Sequence, residues 1–241
     1  MKELAVEVRD LVKFYGSIKA LNGINFEVDE GEIFGLVGPN GAGKTTTLRI
    51  VATLLKPSSG IVKVFGHDVV KDASEVRKLI SYLPEEAGAY RFLTGREYLE
   101  FMAKVYRAPK SVVEEGIRIS GLGDAIDKQV KTYSKGMKRR LLVARALMVK
   151  PKLAILDEPT AGLDVAHAIY VRKVIKEYSR NHGVTVLLSS HNMLEIEYLC
   201  DRVALIDKGR IVEIGSPREL IKVYEAENLE EVFVKVVGSV R

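Results

Sequence analysis

Short runs of apolar and β-branched residues dominate the first third of the chain. The runs cover 5–8, 24–28, 33–37 and 61–65, and they are bounded by Gly23, Gly31, Gly60 and Gly66. Runs of this length with glycine at their ends are typical of β-strands. The pattern therefore predicts a sheet in this part of the chain.

The stretch 94–149 follows a different period. Its apolar residues Leu99, Met102, Ala103 and Tyr106 are three or four positions apart, and β-branched runs are rare before residue 141. This spacing places the four side chains on one face of a helix. We predict a mostly helical insert here.

From residue 153 onward, apolar runs alternate with helical patterns. The predicted strands are 153–156, 184–188, 203–206 and 211–214, with helices at about 165–179 and from Asn192. Such alternation predicts parallel strands joined by crossover helices. A short helix should begin near the end of the chain, at Ser216. This serine can cap the helix, Pro217 suits its first position, and Glu219 can complete the capping box.

Composition narrows the class of protein. The 241 residues are 47% hydrophobic, enough for a sizeable core. No apolar run reaches the roughly 18 residues of a membrane span, and the N-terminus lacks the features of a signal peptide. We expect a protein that stays in the cytoplasm. Cys200 is the single cysteine, which excludes an internal disulfide and a cysteine-rich zinc site, and we expect it buried on a helix.

The formal charge of +5 leaves the partner open. Clustered basic residues attract nucleic acid or anionic membranes, but the 37 basic and 32 acidic residues are interspersed. The densest basic cluster is Lys135, Lys138, Arg139 and Arg140. Charge by itself therefore identifies no partner.

A phosphate-binding pattern follows the predicted strand 33–37. It fits Gly-x-x-x-x-Gly-Lys-Ser/Thr in its strand-to-helix context, and the backbone amides of such a loop converge on a polyphosphate. Lys44 is expected to meet the β and γ phosphates, and the Thr45 hydroxyl to bind magnesium. The alternative is a glycine-rich turn before an ordinary helix. The nine residues are Gly38, Pro39, Asn40, Gly41, Ala42, Gly43, Lys44, Thr45 and Thr46.

Two carboxylates, Asp157 and Glu158, end the predicted strand 153–156. That position is the carboxyl edge of the sheet, where α/β folds bind ligands. Asp157 is expected to hold magnesium through water, and Glu158 to polarise the water that attacks the γ phosphate. The alternative is that both carboxylates cap the next turn. Neither this pair nor the loop separates one family of P-loop enzymes from another.

Further short motifs are spread along almost the whole chain, from about residue 8 to 220, and their order along the chain is informative. They are Lys13-Phe14-Tyr15-Gly16, Tyr133-Ser134-Lys135-Gly136-Met137-Lys138-Arg139-Arg140, Ala161-Gly162-Leu163-Asp164, and a histidine, His191, 33 residues after Glu158. In this order the chain closely resembles the ABC transporter nucleotide-binding domain. The motifs match the adenine-stacking aromatic residue, the signature, the D-loop and the switch histidine of that family.

The resemblance implies roles for these residues. Tyr15 would stack on adenine, His191 would act with Glu158 in catalysis, and Asp164 would belong to the nucleotide site. Ser134 can cap the following helix, whose N-terminus favours phosphate. In the family this end contacts the γ phosphate on the opposite subunit, so Ser134 and Gly136 would close a head-to-tail homodimer over two ATP molecules.

Two departures from the family pattern stand out. Lys135 and Met137 replace the usual glycine and glutamine of the signature, so only Ser134 and Gly136 carry over. Glu85, in Tyr82-Leu83-Pro84-Glu85, stands where the family has the glutamine of its Q-loop. A carboxylate can still bind magnesium, but its charge near the γ phosphate should weaken nucleotide binding when magnesium is absent.

The resemblance implies one α/β domain over 1–241. It would have a P-loop NTPase (RecA-like) core with an N-terminal antiparallel β subdomain (1–85 and 151–224), an inserted α-helical subdomain carrying the signature (86–150), and a C-terminal tail (225–241). ATP and Mg²⁺ are the implied cofactors.

The implied function is that of an ATP-hydrolysing subunit that drives a separate membrane permease, which would hold it at the inner face of the cell membrane. Residues 92–97 and the Ser-x-Gly-Met-x-Arg-Arg form of the signature resemble the exporter-like subgroup for drug or polysaccharide efflux. No nucleic acid is expected as a partner. The alternative is a soluble ABC-type ATPase that acts on ribosomes or DNA, although such proteins usually carry two cassettes or a long coiled-coil insertion. A P-loop kinase or GTPase would lack the signature and the switch histidine.

Overall fold

The computed structural model describes residues 3–239 and places the N-terminal strands in an antiparallel sheet. The sheet order is β2-β1-β4-β5, and the predicted runs 5–8, 24–28 and 61–65 lie in its first three strands. The bounds are β1 Leu4–Tyr15, β2 Ile18–Asp29, β4 Ser59–Val64 and β5 His67–Asp68. The sheet prediction for this part of the chain is therefore confirmed, with longer strands than the apolar runs.

A six-stranded sheet forms the centre of the molecule, in the order β10-β9-β3-β8-β7-β6. The five strands from β9 to β6 are parallel, and β10 pairs with β9 in the antiparallel sense. The bounds are β3 Ile33–Val37, β6 Ile80–Leu83, β7 Leu153–Asp157, β8 Thr185–Ser190, β9 Arg202–Asp207 and β10 Arg210–Gly215. The predicted strands are confirmed, whereas β5 and β6 were not predicted.

Helices cover the parallel sheet. They are α1 Lys44–Val51, α2 Ala73–Leu79, α6 Val165–His182, α7 Met193–Leu199 and α8 Pro217–Val223. The predicted capping box of α8 is confirmed, because Ser216 and Glu219 cap each other's backbone amides. Cys200 is buried at the C-terminal end of α7, as predicted.

The two faces of the central sheet supply two hydrophobic clusters, because successive side chains of a strand point to opposite faces. Phe34 and Leu36 pack with α1 and the antiparallel sheet. Ile33 and Val37 belong to the other cluster, which includes α6, α7 and the helical insert. A strand that is buried on both faces has apolar residues at consecutive positions, which explains why β3 could be predicted from the sequence.

The insert consists of α3 Gly95–Val105, α4 Ser111–Ser120, two short 3₁₀ helices at Gly123–Asp127 and Val130–Thr132, and α5 Lys135–Leu147. Thr94 and Glu97 form a capping box at the start of α3. Leu99 and Ala103 are buried, and Met102 and Tyr106 pack against the same cluster. The predicted amphipathic helix is therefore confirmed.

The segment predicted as a C-terminal tail contains α9, Leu229–Ser239. Leu229 and Val232 are fully buried, and α9 packs against α7 and α8. Residues 1, 2, 240 and 241 of the predicted domain lie outside the described residues. Between residues 3 and 239, no helix has the length and apolar character that a membrane span needs.

Candidate nucleotide site

The loop between β3 and α1 forms one wall of a cavity of about 330 Å³. Gly41 and Gly43 have φ angles of 80° and 110°, which favour glycine. A Cβ at Gly43 would stand 2.6 Å from Leu21 Cδ2, so the loop also needs glycine for close approach to β2. The cavity is lined by residues 39–46, Ala20, Glu85 and Glu158.

Lys44 places its ammonium group at the centre of this loop. Its Nζ donates to the carbonyls of Gly38 at 2.7 Å and Pro39 at 3.1 Å, and lies 3.5 Å from Glu158 Oε1. The side chain is only 6% exposed. A buried cation beside several backbone amides and a single carboxylate suits a polyanionic ligand.

Asp157 joins the loop to the parallel sheet. Its Oδ1 accepts hydrogen bonds from the Thr45 hydroxyl at 3.1 Å and from the Ser189 hydroxyl at 2.6 Å. The phenol of Tyr82 lies 3.5 Å from its Oδ2. Burial, with the charge of Asp157 adding to it, raises the pKa of Tyr82, so this phenol stays protonated and can donate. The Asp157 carboxylate and the Thr45 hydroxyl are thus adjacent oxygen groups at the base of α1.

Glu158 is the first residue after β7 and is 5% exposed. Its φ of 48° is left-handed, which is uncommon outside glycine and typical of functional sites. Its backbone N–H donates to Ser189 Oγ at 3.0 Å, and its Oε2 lies 2.9 Å from His191 Nδ1. The carboxylate is therefore held between Lys44 and His191 at the edge of the cavity.

The signature residues lie outside this cavity. Ser134 caps α5 by accepting from the Met137 N–H at 3.2 Å. A Cβ at Gly136 would overlap the ring of His167, and a Cβ at Gly162 would overlap Lys135 Nζ. The start of α5 is thus packed directly against the first turn of α6 and the segment before it.

Asp164 caps α6 by accepting from the His167 N–H at 2.9 Å. Like Ser134 and Gly136, it does not line the cavity that contains Lys44. The structure therefore gathers the loop residues, Glu85, Asp157, Glu158 and His191 in one place, and leaves these three residues on a neighbouring surface of the same chain.

Tyr15 is also outside the cavity. It ends β1 opposite Ile18, its side chain is 45% exposed, and Lys13 Nζ lies 5.4 Å from its ring centre. Ala20 of β2 is the residue of this hairpin that lines the cavity.

Sequence reasoning missed the connecting role of Arg139. This guanidinium, on α5, donates to five backbone carbonyls on two loops, and burial lowers its pKa to about 10. The contacts are with the carbonyls of Pro84, Glu85, Asp157, Glu158 and Pro159, at 2.6 to 3.1 Å. The signature helix is thereby tied to the loop of Glu85 and to the end of β7. An arginine on the buried face of a helix was the available signal.

A parallel sheet with a glycine-rich phosphate loop, a buried lysine and carboxylates at the carboxyl end of the neighbouring strand defines a P-loop nucleotide-binding protein. The sequence pattern described as "ABC transporter" matches residues 21–161. The chain belongs to the ABC transporter family, as an ATP-binding subunit and an ATPase.

Similar proteins agree with this assignment. The daunorubicin/doxorubicin resistance ATP-binding protein DrrA of Streptomyces peucetius is 41% identical over 90% of this chain and 66% of its own length. The bacitracin transport ATP-binding protein BcrA of Bacillus licheniformis is 41% identical over 86% of this chain and 68% of its own length. A solved ATP-binding subunit of an ABC transporter has a TM-score of 0.85 at 28% identity, over 97% of this chain and 99% of that chain. These relatives do not support the alternative of a soluble ATPase acting on ribosomes or DNA.

Proposed function

We propose that ATP binds along the loop 38–46 and that Glu158 polarises the water that attacks its γ phosphate. The observation that carries this proposal is the position of the Glu158 carboxylate, 3.5 Å from Lys44 Nζ and 2.9 Å from His191 Nδ1. Lys44 faces the phosphates from the loop, and His191 holds the carboxylate in place. Tyr15 would reach the adenine ring from the end of β1.

Mg²⁺ fits the oxygen ligands at the base of the loop. Mg²⁺ is usually held by one or two carboxylates together with hydroxyl groups, water and substrate phosphates. Thr45 and Asp157 would hold it, together with Glu85, which lines the same cavity as Thr45. The ion would neutralise charge on the phosphates. Ser189 and Tyr82 orient the Asp157 carboxylate for this task.

A second copy of the chain would complete each ATP site. Ser134, Gly136 and Asp164 lie outside the cavity of their own chain, and the amides at the start of α5 attract phosphate. In a head-to-tail homodimer these residues would approach ATP held by Lys44 and Thr45 of the other chain.

The subunit would drive an integral membrane permease, which would hold it at the inner face of the membrane, and the direction would be export. The names of DrrA and BcrA support this, since they describe resistance to daunorubicin and doxorubicin and transport of bacitracin.

An exposed aromatic surface follows the loop of Glu85: Phe92 is 77% exposed, Tyr90 58% and Phe101 41%. Exposed apolar patches of this kind mark protein contacts, and we propose this surface for the permease.

Phosphate release by the purified protein tests the hydrolytic proposal. Lys44→Ala removes the one side-chain cation aimed at the phosphates from within the loop, so ATP affinity or turnover should fall by at least about tenfold. Lys63→Ala, on strand β4, is the matched control because this side chain is 42% exposed and does not line the nucleotide cavity, and it should behave as the parent protein. Normal affinity and turnover in Lys44→Ala would show that the loop does not bind the phosphates.

The transport proposal is tested by searching the neighbouring reading frames for a multi-span membrane protein and co-expressing it with this chain. The two proteins should copurify from membranes, and vesicles should export daunorubicin or bacitracin when ATP is supplied. Phe92→Ser should lower copurification while leaving basal phosphate release unchanged. Copurification that is unaffected by Phe92→Ser would place the contact elsewhere.

A further inference from the structure

Glu195 is a buried carboxylate outside the nucleotide cavity. It lies on the first turn of α7 and is 5% exposed. It lines a second cavity, of about 370 Å³, to which Glu158 and His191 also contribute. Glu158 borders both cavities, so Glu195 shares the second cavity with the proposed catalytic pair, Glu158 and His191.

Three elements meet at this carboxylate. The Thr160 hydroxyl, in the segment after β7, donates to Glu195 Oε2. Arg172 Nη1, on α6, lies 3.4 Å from Oε1. Burial raises the pKa of Glu195, while the hydrogen bond from Thr160 and the charge of Arg172 oppose that rise; Glu158 and His191 are the other charged or titratable groups nearby. Burying a carboxylate is unfavourable unless its oxygens have partners, and here both oxygens have one.

The segment 158–164 is held by polar contacts from opposite sides. On one side Arg139 binds the carbonyls of Glu158 and Pro159. On the other side Glu195 accepts from Thr160. Ala161, Gly162 and Leu163 border the second cavity, and Leu163 packs against the large hydrophobic cluster. The two polar contacts act on the earlier part of the segment, 158–160.

His191 and Glu195 are four residues apart and both contact this segment. His191 touches the Glu158 side chain, and Glu195 binds Thr160 two residues further on. The stretch 191–195, which leads from β8 into α7, thus contacts the segment at two points, one on each side of Pro159.

Resting on the proposed hydrolysis, we infer that Glu195 is a positioning residue. Through Thr160 it sets the path of 158–164, and so the orientation of the Glu158 carboxylate towards the attacking water. The same contact sets the position of Asp164 at the start of α6. Glu195 itself touches neither ATP nor the reacting atoms.

Thr160→Val, which keeps the shape and removes the hydroxyl, tests this inference. We expect its kcat to fall by about tenfold, the effect of losing one hydrogen bond to a charged group. The MgATP affinity should stay within about twofold, because Thr160 does not line the nucleotide cavity. Thr160→Ser, which restores the hydroxyl, should recover kcat.

Two further variants separate positioning from general destabilisation. Adding Glu195→Gln to Thr160→Val should lower kcat no further than the more damaging single change, because Glu195 is inferred to act on the Glu158 segment through Thr160 and not through its ion pair with Arg172. Glu197→Gln is the matched control on α7, because its carboxylate accepts from the Leu229 backbone N–H at 3.3 Å and faces α9. This control should leave kcat unchanged. Circular dichroism would verify folding, and Glu195→Gln replaces Thr160→Val as the test if the latter does not fold.

Parent-like kcat in Thr160→Val, additive losses in the double variant, or no recovery in Thr160→Ser would overturn the inference. So would a parallel loss of ATP affinity, which would indicate a distorted nucleotide cavity. If the parent protein itself released no phosphate, the proposed function would fail as well. An active parent with an equally active Thr160→Val would remove only the role of Glu195.

Discussion

At the scale of single residues, the site is a set of buried charges that compensate one another. Lys44 and Glu158 are each nearly buried, at 6% and 5% exposure, and their charged atoms are 3.5 Å apart. Removing one member takes away the nearest opposite charge of the other, which is more costly in a buried site than losing an exposed ion pair. Conservative changes that keep shape are therefore the informative ones.

Glu158→Gln keeps the shape of the side chain and removes the carboxylate. We expect normal MgATP binding and a kcat lower by at least about 100-fold, because the amide cannot accept the proton of the attacking water. Steady-state phosphate release and ATP binding, measured on the same preparation, check this. Glu86→Gln, which changes an exposed carboxylate that does not line the nucleotide cavity, serves as the control. Turnover close to the parent value would remove Glu158 from catalysis.

Glu85→Gln tests the departure from the family pattern. Glu85 lines the nucleotide cavity, so its charge opposes ATP most strongly when no magnesium is present. The substitution should reduce the difference between ATP affinity with magnesium and with a chelator. Titrations under both conditions measure it, again with Glu86→Gln beside them. The same magnesium dependence in parent and Glu85→Gln would mean that the Glu85 carboxylate does not face the nucleotide.

At the scale of elements, α5 is the connecting helix. Its N-terminal turn packs against the start of α6, and Arg139 in its second turn binds both the loop of Glu85 and the end of β7. A shift of α5 would therefore move the Glu85 loop and the Glu158 segment together. This connection is built from backbone carbonyls, so it constrains the path of both loops.

Gly136→Ala tests the contact between α5 and α6. A Cβ at this position would overlap the ring of His167, and overpacking of this kind costs about 1–3 kcal/mol. Each kcal/mol lowers Tm by roughly 2–4 °C in a domain of this size. Thermal unfolding should show the decrease, and adding His167→Ala should recover part of it.

Gly88→Ala is the control for that experiment, since a Cβ at Gly88 meets no atom within 4 Å. Its Tm should equal that of the parent protein. An unchanged Tm in Gly136→Ala would show that α5 and α6 can move apart without a loss in the free energy of unfolding.

At the scale of the whole molecule, ATP should draw two copies together. Glu158→Gln should accumulate the closed dimer with MgATP, because binding is retained while hydrolysis is slow. Light scattering should show a doubled mass, and adding Ser134→Arg should abolish that shift by blocking the start of α5. A Glu158→Gln protein that stays monomeric with saturating MgATP, or a dimer that tolerates Ser134→Arg, would contradict the shared site.

The sequence by itself determined the features that depend on neighbouring residues. The loop 38–46 was recognisable because its strand, glycines and helix start are consecutive, and the buried strands β3 and β7 because each is an unbroken apolar run. The capping box of Ser216 and Glu219 followed from their spacing of three residues. Asp157 and Glu158 could be placed at the sheet edge because parallel strands end on the same side.

Only the tertiary structure decided which distant groups meet. Arg139 binding carbonyls at 84–85 and 157–159, Ala20 lining the cavity, and Glu195 accepting from Thr160 all join segments far apart along the chain. No local pattern encodes such contacts, because they arise from how the sheet and helices pack. The short elements α2, β5 and β6 escaped prediction because their two to seven residues carry too little periodicity. The helix α9 forms where Leu229 and Val232 are buried against α7 and α8.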